Sequence, residues 1–286
     1  MKTIILLMAF ATITSCQKTS ETAFTQQFEL PKTLKEISGF IYDNNNKTLF
    51  CLEDSGNDNT IIVIDSAAKI QKEITITNAT NVDWEDITKD KSNNLYIGDF
   101  GNNDNNRRDL CIYKINAADL TNTNCNSSQK TTFNYPEQTD FPAKKKSKLF
   151  DVEGFFELDN HFYLITKNRN KNFDGRALIY KIPNQAGEQT AVLIGEINTG
   201  TNFENGAVTS AAISTDGKKV VLLTHSKVIL FTDFATKPFF EGTRTDISLN
   251  HVSQKESVCF KDEQTLFIAD EQDKKTGGMV YVLNLF

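Results

Sequence analysis

The chain has 286 residues, a hydrophobic fraction of 39% and a formal net charge of −6 at pH 7. That apolar fraction is sufficient for a packed interior, and a closed all-β fold of this length is commonly a single domain. The acidic balance argues against a general nucleic-acid binder, which would carry a basic stripe, so we expect no nucleic-acid partner.

Residues 1–16 have the pattern of an export signal. Lys2 precedes an apolar run over residues 4–13 that is too short to span a membrane. The run ends in Ile-Thr-Ser-Cys, which resembles the lipobox of bacterial lipoproteins. That resemblance implies cleavage before Cys16, a lipid on its thiol and membrane attachment through this anchor alone. Gln17 favours the outer membrane, facing either side; an ordinary signal peptide with a chance cysteine is the alternative.

A motif of about a dozen residues recurs five times along the chain. Each copy has a Ser or Glu and, roughly ten to twelve residues later, an apolar run that ends in a polar group. The Ser and Glu positions are spaced by 46 to 68 residues and are Ser38, Glu85, Glu153, Ser210 and Glu256. Periods of roughly 40 to 50 residues with several short strands each are typical of β-propeller blades.

Further strand-like segments complete most of the repeats. The fifth repeat ends at Phe286 after its third strand, whereas residues 24–30 have strand character without a repeat of their own. We expect this segment to supply the missing outer strand, because ring closure removes exposed sheet edges. The sequence therefore predicts an all-β propeller of five blades over residues 34–286, preceded by a tether and closing strand over residues 17–33. A sixth, degenerate blade within residues 100–150 is the alternative.

The antiparallel order of strands places the start of strand one and the end of strand two on the same side of the disc. We therefore predict that the motif positions form an inner ring at the mouth of the central channel. Residues two positions earlier share the same strand face, and the ends of strand two add further acids. The candidates are Ser38, Glu85, Glu153, Ser210 and Glu256, with Glu36, Asp83, Asp151 and Asp99 beside them.

Three glutamates around one channel raise one another's pKa unless a cation or an arginine intervenes. Oxygen ligands without histidine or thiolate suit Ca²⁺ or Mg²⁺ rather than zinc, so Glu85, Glu153 and Glu256 are candidate calcium ligands. Two alternatives stay open. The carboxylates could accept hydrogen bonds from backbone amides of the neighbouring blade and so hold the blades together, or they could transfer protons in catalysis.

Basic residues are frequent in loops of the second and third repeats on the same predicted face. Arg107, Arg108, Lys145 and Lys167 are candidates for attracting an anion toward the mouth; the simpler interpretation is a solvated run of charge. We expect the partner to be a small polar or anionic ligand or an envelope protein, and the protein to be a monomer.

Several of these motifs together resemble a known group. The segments EISGF at residues 36–40, DWEDI at 83–87 and DVEG at 151–154 resemble bacterial propeller lipoproteins related to the SdiA-regulated group, over about residues 34–286. More loosely, the chain is similar to esterase-like and calcium-dependent phytase propellers. The resemblance implies a propeller fold with acidic groups and cations along the channel.

Val208 and Ser210 break the acidic pattern in the fourth repeat, which argues against a complete metal ring. Three functions are compatible with the sequence: a lipid-anchored binding protein of the cell envelope, a metal-dependent hydrolase of phosphate or carboxylic esters, and a scaffold without a small-molecule site. No nucleophile with an adjacent base is evident, which counts against covalent hydrolysis. We favour binding of a polar ligand, a partner or a divalent cation at the acidic channel mouth.

Overall fold

The computed structural model describes residues 24–273 and 276–285, so the predicted signal and lipidated Cys16 lie outside the described residues. The described residues form five antiparallel blades, which confirms the predicted five-bladed propeller. Short runs rich in Val, Ile, Leu and Phe favour strands over helices. No helix within these ranges is long and apolar enough to cross a membrane.

The blades follow chain order, each running from an inner to an outer strand. Blade one contains β2 (Ile37–Asp43), β3 (Thr48–Glu53), β4 (Thr60–Asp65) and β5 (Ile70–Ile76). Blade two contains β6 (Trp84–Lys89), β7 (Leu95–Asp99), β8 (Cys111–Ile115) and β10 (Gln129–Asn134). Blade three contains β11 (Asp151–Leu158), β12 (His161–Lys167), β13 (Arg176–Pro183) and β15 (Val192–Asn198). Blade four contains β16 (Val208–Ile213), β17 (Val220–Thr224), β18 (Lys227–Thr232) and β19 (Thr243–Ser248). Blade five contains β20 (Lys255–Asp262), β21 (Thr265–Asp270), β22 (Met279–Asn284) and β1 (Phe24–Glu29).

The ring closes where the two ends of the described chain meet. Strand β1 pairs antiparallel with β22, with Phe24 opposite Leu283 and Glu29 opposite Met279. The ring of Phe24 also stacks on Tyr281 at a centroid distance of 4.7 Å. The prediction that an N-terminal strand completes the last blade is therefore confirmed.

The long second repeat does not form a sixth blade. Its short strand β9 (Asn124–Cys125) pairs in parallel with β5, the outer strand of blade one. In the same way β14 (Gly187–Thr190), from the third repeat, pairs in parallel with β10, the outer strand of blade two. Each covers a sheet edge that would otherwise be open. A one-turn helix α1 (Phe203–Gly206) lies between blades three and four, and two 3₁₀ turns span Ala117–Thr121 and Phe239–Glu241.

The hydrophobic core is divided among the blade interfaces. Five clusters of buried apolar side chains each lie between two neighbouring blades, including the interface between blades five and one. Trp84 is fully buried between blades one and two, and its Nε1 donates to the carbonyl of Thr80 at 3.0 Å. Burial of apolar area at each interface therefore holds the ring together.

Every inner strand has a β-bulge near its start, and the bulge defines the structural repeat. The register with strand two shifts at Ser38, Glu85, Glu153, Thr209 and Glu256. The predicted inner ring is therefore wrong by one residue in the fourth blade, where Thr209 and not Ser210 occupies the equivalent position. Thr and Ser differ by one methyl group, so the letters alone did not show which hydroxyl residue lies in the bulge.

The residues one position further along the inner strands form a hydrogen-bonded interblade ring, defined by Asp86, Ser210 and Ser257. The Oγ of Ser210 accepts from the amide of Val258 at 3.2 Å, and the Oγ of Ser257 accepts from Phe40 at 2.7 Å. Asp86 accepts from amides of blades three and four. This ring links neighbouring blades, a role that the sequence analysis left open for the glutamates.

Candidate functional site

A cavity of about 330 Å³ lies at the channel mouth, where the inner strands begin. Its wall is mainly polar and contains six carboxylates, three of which belong to the bulges of blades two, three and five. The lining side chains are Ser38, Asp54, Ser55, Asp83, Glu85, Asn103, Glu153, Lys167, Arg169, Phe203, His225, Gln254, Glu256 and Glu271. The bulges turn the side chains of Ser38, Glu85, Glu153 and Glu256 into this one space, since a bulge redirects the side chain of its extra residue.

One side of the mouth, which we call the paired wall, is neutralised by the protein's own cations. Arg169 donates from Nε to Asp151 Oδ2 and from Nη2 to Glu153 Oε1, both at 2.5 Å. Lys167 Nζ lies 2.9 Å from Glu153 Oε2 and 3.8 Å from Glu256 Oε2. Because these groups are buried, each pairing is less screened than a surface ion pair. Both oxygens of Glu153 are therefore engaged.

Glu256 and Asp151 are held by additional contacts. The carboxylate of Glu256 lies 3.3 Å from His225 Nε2. Burial alone would raise the pKa of Glu256, but Lys167 and His225 outweigh this effect and lower it. Asp151 Oδ1 accepts from the backbone amide of Asn102 at 2.6 Å, so both oxygens of Asp151 are also engaged.

The remaining carboxylates of the mouth, which we call the unpaired wall, are Asp54, Asp83, Glu85 and Glu271. None of these four forms an ion pair within the described part of the chain. Burial, reinforced by Glu153 and other nearby carboxylates, raises the pKa of Glu85 well above its usual range. Burial and neighbouring acids raise the pKa of Asp54 to about 7 and that of Glu271 to about 8. The acids of the unpaired wall therefore retain protons near neutral pH, and a bound cation could take the place of these protons.

A glycine allows the acids of the unpaired wall to approach the backbone. A Cβ on Gly101 would lie 2.2 Å from Glu85 Oε1 and 2.4 Å from Asp83 Oδ2. Both carboxylates therefore occupy the space where a side chain at this position would be. Any larger residue would displace them.

Ser38 is an independent indication that the mouth accommodates a ligand. Ser38 lines the cavity and is only 3% exposed, yet its hydroxyl has no hydrogen-bond partner in the described structure. Buried hydroxyl groups are almost always hydrogen-bonded. A ligand atom or its bound water would satisfy this group.

The tightest carboxylate cluster is not the best place for a metal ion. Glu85, Asp151 and Glu153 each offer an oxygen within 4.8 Å of the others. Calcium requires six to eight oxygen ligands, whereas the oxygens of Asp151 and Glu153 are already engaged. A cation here would have to displace Arg169. The oxygen atoms that remain free to ligate a metal ion belong to Glu85 and Asp83 of the unpaired wall and to Ser38.

The other predicted site residues lie outside the cavity. Asp99 is buried and pairs with Arg107 at 2.9 Å, and Glu36 accepts from Asn57 at 2.9 Å. Ser210 is fully buried in the interblade ring. These contacts are structural, and they give Asp99 and Ser210 no access to a ligand in the mouth.

The basic candidates also have different positions from those expected. Lys167 lines the mouth, but Arg107 is held by Asp99 and Asp109. The guanidinium of Arg108 lies 3.5 Å above the ring of Phe141, and Lys145 is exposed on its loop. Three of the four predicted anion-attracting residues are thus absent from the cavity lining.

Two residues of the site, Gly101 and Phe203, were not among the site residues predicted from the repeat. Gly101 lies in a turn whose function the sequence did not indicate, and Phe203 lies in a polar loop between repeats. An aromatic residue within the polar segment from Thr199 to Gly206 was the available signal. In the structure Phe203 borders the mouth.

Fold and site together define a five-bladed β-propeller with an acidic, partly uncompensated pocket at one channel mouth. No family model matches the chain, and no curated protein matches it in sequence. The similarity to SdiA-regulated lipoproteins therefore stays a prediction.

Three solved structures were compared with the chain. A gluconolactonase from Xanthomonas campestris has a TM-score of 0.50 at 9% identity, over 93% of this chain and 91% of that one. A chain of a nidogen/laminin complex has a TM-score of 0.49 at 14% identity, over 86% and 84%. An inactive virginiamycin B lyase from Staphylococcus aureus with quinupristin has a TM-score of 0.41 at 17% identity, over 90% and 69%. At 9% identity, the similarity to the gluconolactonase shows the propeller fold alone.

Proposed function

We propose that the protein is a binding propeller whose channel mouth takes a positively charged ligand. The observation that carries the proposal is the unpaired wall, Asp54, Asp83, Glu85 and Glu271. These four carboxylates form no ion pair in the part of the chain that the structure describes, and they line a cavity of about 330 Å³. The unsatisfied hydroxyl of Ser38 in the same cavity supports it. An anionic ligand is disfavoured, because Lys167 and Arg169 are already paired with carboxylates.

Binding at this wall would be coupled to proton release. With pKa values of about 7 for Asp54 and about 8 for Glu271, these acids are partly protonated near neutral pH. A bound cation favours their ionised forms and lowers both pKa values. Affinity should therefore increase between pH 6 and pH 8, by roughly tenfold for each proton released per pH unit.

Isothermal titration calorimetry of the full chain with Ca²⁺ and, separately, with arginine amide tests the proposal. Repeating each titration in buffers of different ionisation enthalpy measures the protons released. Glu85→Gln should weaken binding by about tenfold or more, and Glu73→Gln, an exposed glutamate on β5, is the matched control. If neither cation binds at millimolar concentration, the proposal is wrong.

A metal-dependent hydrolase is the second candidate function. Its support is that carboxyl groups with pKa values near neutrality line an open pocket, as a general base requires. A calcium ion on the open oxygens of Asp83 and Glu85 would polarise a phosphate or carboxylic ester. Hydrolysis of p-nitrophenyl phosphate or acetate that depends on Ca²⁺ and is lost in Glu85→Gln would establish this activity.

The proposal includes attachment to the outer membrane as a monomeric lipoprotein through Cys16, on the basis of the lipobox resemblance. Metabolic labelling with a clickable fatty acid should modify the wild-type chain and leave Cys16→Ala unmodified. Fractionation should recover the wild type with outer membranes. Equal labelling of both chains would contradict the anchor.

A further inference from the structure

Exposed apolar side chains border the acidic mouth. The large hydrophobic side chains with more than a third of their surface exposed, within the described residues, are Val82 (41%), Val192 (58%), Leu193 (42%), Phe203 (38%) and Val252 (54%). Val82, Phe203 and Val252 lie in the segments that precede the inner strands of blades two, four and five, and Phe203 begins the one-turn helix α1. These segments are on the mouth face, and we call the three residues the apolar collar.

Each collar residue is close to the cavity lining. Val82 precedes Asp83, Val252 lies two residues before Gln254, and Phe203 itself lines the cavity. Single exposed apolar residues are normal on protein surfaces. Three of them at separate points around one charged cavity form a surface that a partner could cover.

Phe203 is held in place by its neighbours. The side chain of Asn202 accepts from the amide of Asn205 at 3.1 Å and so caps the turn that presents Phe203. The Phe203 ring packs edge-to-face against Phe173 and His225, with centroids 6.0 and 6.2 Å away. These contacts prevent Phe203 from collapsing into the cavity, so its outer surface remains available.

The cavity is large enough for a long side chain. Its volume of about 330 Å³ is many times the roughly 10–15 Å³ that one water needs, and it far exceeds the space that a bare metal ion needs. The interblade ring of Asp86, Ser210 and Ser257 lies one residue further along the inner strands than the bulges of the mouth, and its side chains are engaged in hydrogen bonds.

Resting on the proposed function, we propose that the positively charged ligand is the side chain of an arginine or lysine in a partner protein. The basic group reaches the unpaired wall, and apolar residues on either side of it in the partner cover the collar. Charge complementarity selects the basic tip, because the carboxylates of the unpaired wall form no ion pair within the described residues. A central charged anchor surrounded by apolar contacts that exclude water is a common form of protein interface.

Three tripeptide probes with blocked termini test this inference on the full chain: Leu-Arg-Leu, Gly-Arg-Gly and Leu-Gln-Leu. We expect Leu-Arg-Leu to bind about tenfold more tightly than Gly-Arg-Gly, because only its flanks cover the collar. Leu-Gln-Leu should not bind measurably. The double variant Val82→Ser, Val252→Ser should remove the advantage of Leu-Arg-Leu and leave the affinity for Gly-Arg-Gly unchanged.

The matched control is Val192→Ser, Leu193→Ser, which removes two equally exposed residues from the outer strand β15, far from the mouth. This control should retain the tenfold preference. Equal binding of Leu-Arg-Leu and Gly-Arg-Gly would overturn the inference but leave the proposed function intact, with a small organic cation as ligand. Calcium binding without any binding of arginine peptides would also overturn it. Failure of every cation would refute the proposed function itself.

Discussion

Asp86→Ala should be among the most destabilising substitutions in this protein. Asp86 is fully buried, and its carboxyl accepts from the amides of Ile87 at 2.9 Å, Phe155 at 3.2 Å and Ala211 at 3.3 Å. Phe155 and Ala211 belong to blades three and four. The substitution therefore removes an acceptor shared by three blades around the channel.

The cost follows from the donors left unpaired. A buried amide that loses its acceptor costs about 1–3 kcal/mol, so three amides cost about 3–9 kcal/mol. Burial raises the pKa of Asp86 well above its usual value, and removing this buried carboxyl offsets part of the loss. We expect a net destabilisation of about 3–5 kcal/mol, a large part of the roughly 5–15 kcal/mol that stabilises most folded proteins.

Ser257→Ala is the matched comparison, because it leaves one amide, that of Phe40, without its acceptor and should cost about 1–3 kcal/mol. Asp86→Asn retains one acceptor oxygen and should fall between the two. Urea unfolding of the full chain, followed by the fluorescence of Trp84, measures all three. The reasoning is refuted if Asp86→Ala costs no more than Ser257→Ala.

Three further outcomes are expected. Because the pKa values of Asp54 (about 7) and Glu271 (about 8) are raised in the native state, the folded protein holds more protons than the unfolded chain. Without ligand, stability should therefore fall as the pH rises from about 5 to about 8; urea titrations with a flat pH profile would contradict this. Gly101→Ala should weaken arginine-amide binding by about tenfold in calorimetry, because its methyl group displaces Glu85; unchanged affinity would show that the carboxylates relax freely. Deleting Phe24–Glu29 should sharply lower the melting temperature measured by circular dichroism, since it removes the strand that closes the ring; an unaltered melting curve would mean that closure contributes little.

Several features could be predicted from the sequence because they depend on local patterns. Apolar alternation and the recurring motif indicated five blades. The missing outer strand of the last repeat identified the segment that closes the ring, near Phe24. Repeat equivalence also predicted that Glu85, Glu153 and Glu256 meet at one mouth, since equivalent positions in a closed ring face the same channel.

In the fourth blade, the sequence repeat was not sufficient to predict which residue lies in the bulge. Ser210 resembles the motif, but backbone pairing with strand two places Thr209 in the bulge. On an inner strand, neighbouring residues have different positions: one side chain lies in the mouth and the next lies in the interblade ring. The register of the strand is set by its hydrogen bonds to strand two, and the similarity of two side chains does not reveal that register.

Only the tertiary structure decided which charges neutralise one another. Arg107 and Lys167 looked alike in the sequence as cations near the mouth, yet Arg107 pairs with Asp99 outside the cavity and Lys167 pairs with Glu153 inside it. An ion pair depends on distances of a few ångströms and on burial, both of which arise when separate segments pack together. The unpaired wall, and with it the proposed ligand charge, is therefore a property of the closed ring rather than of any one segment of the chain.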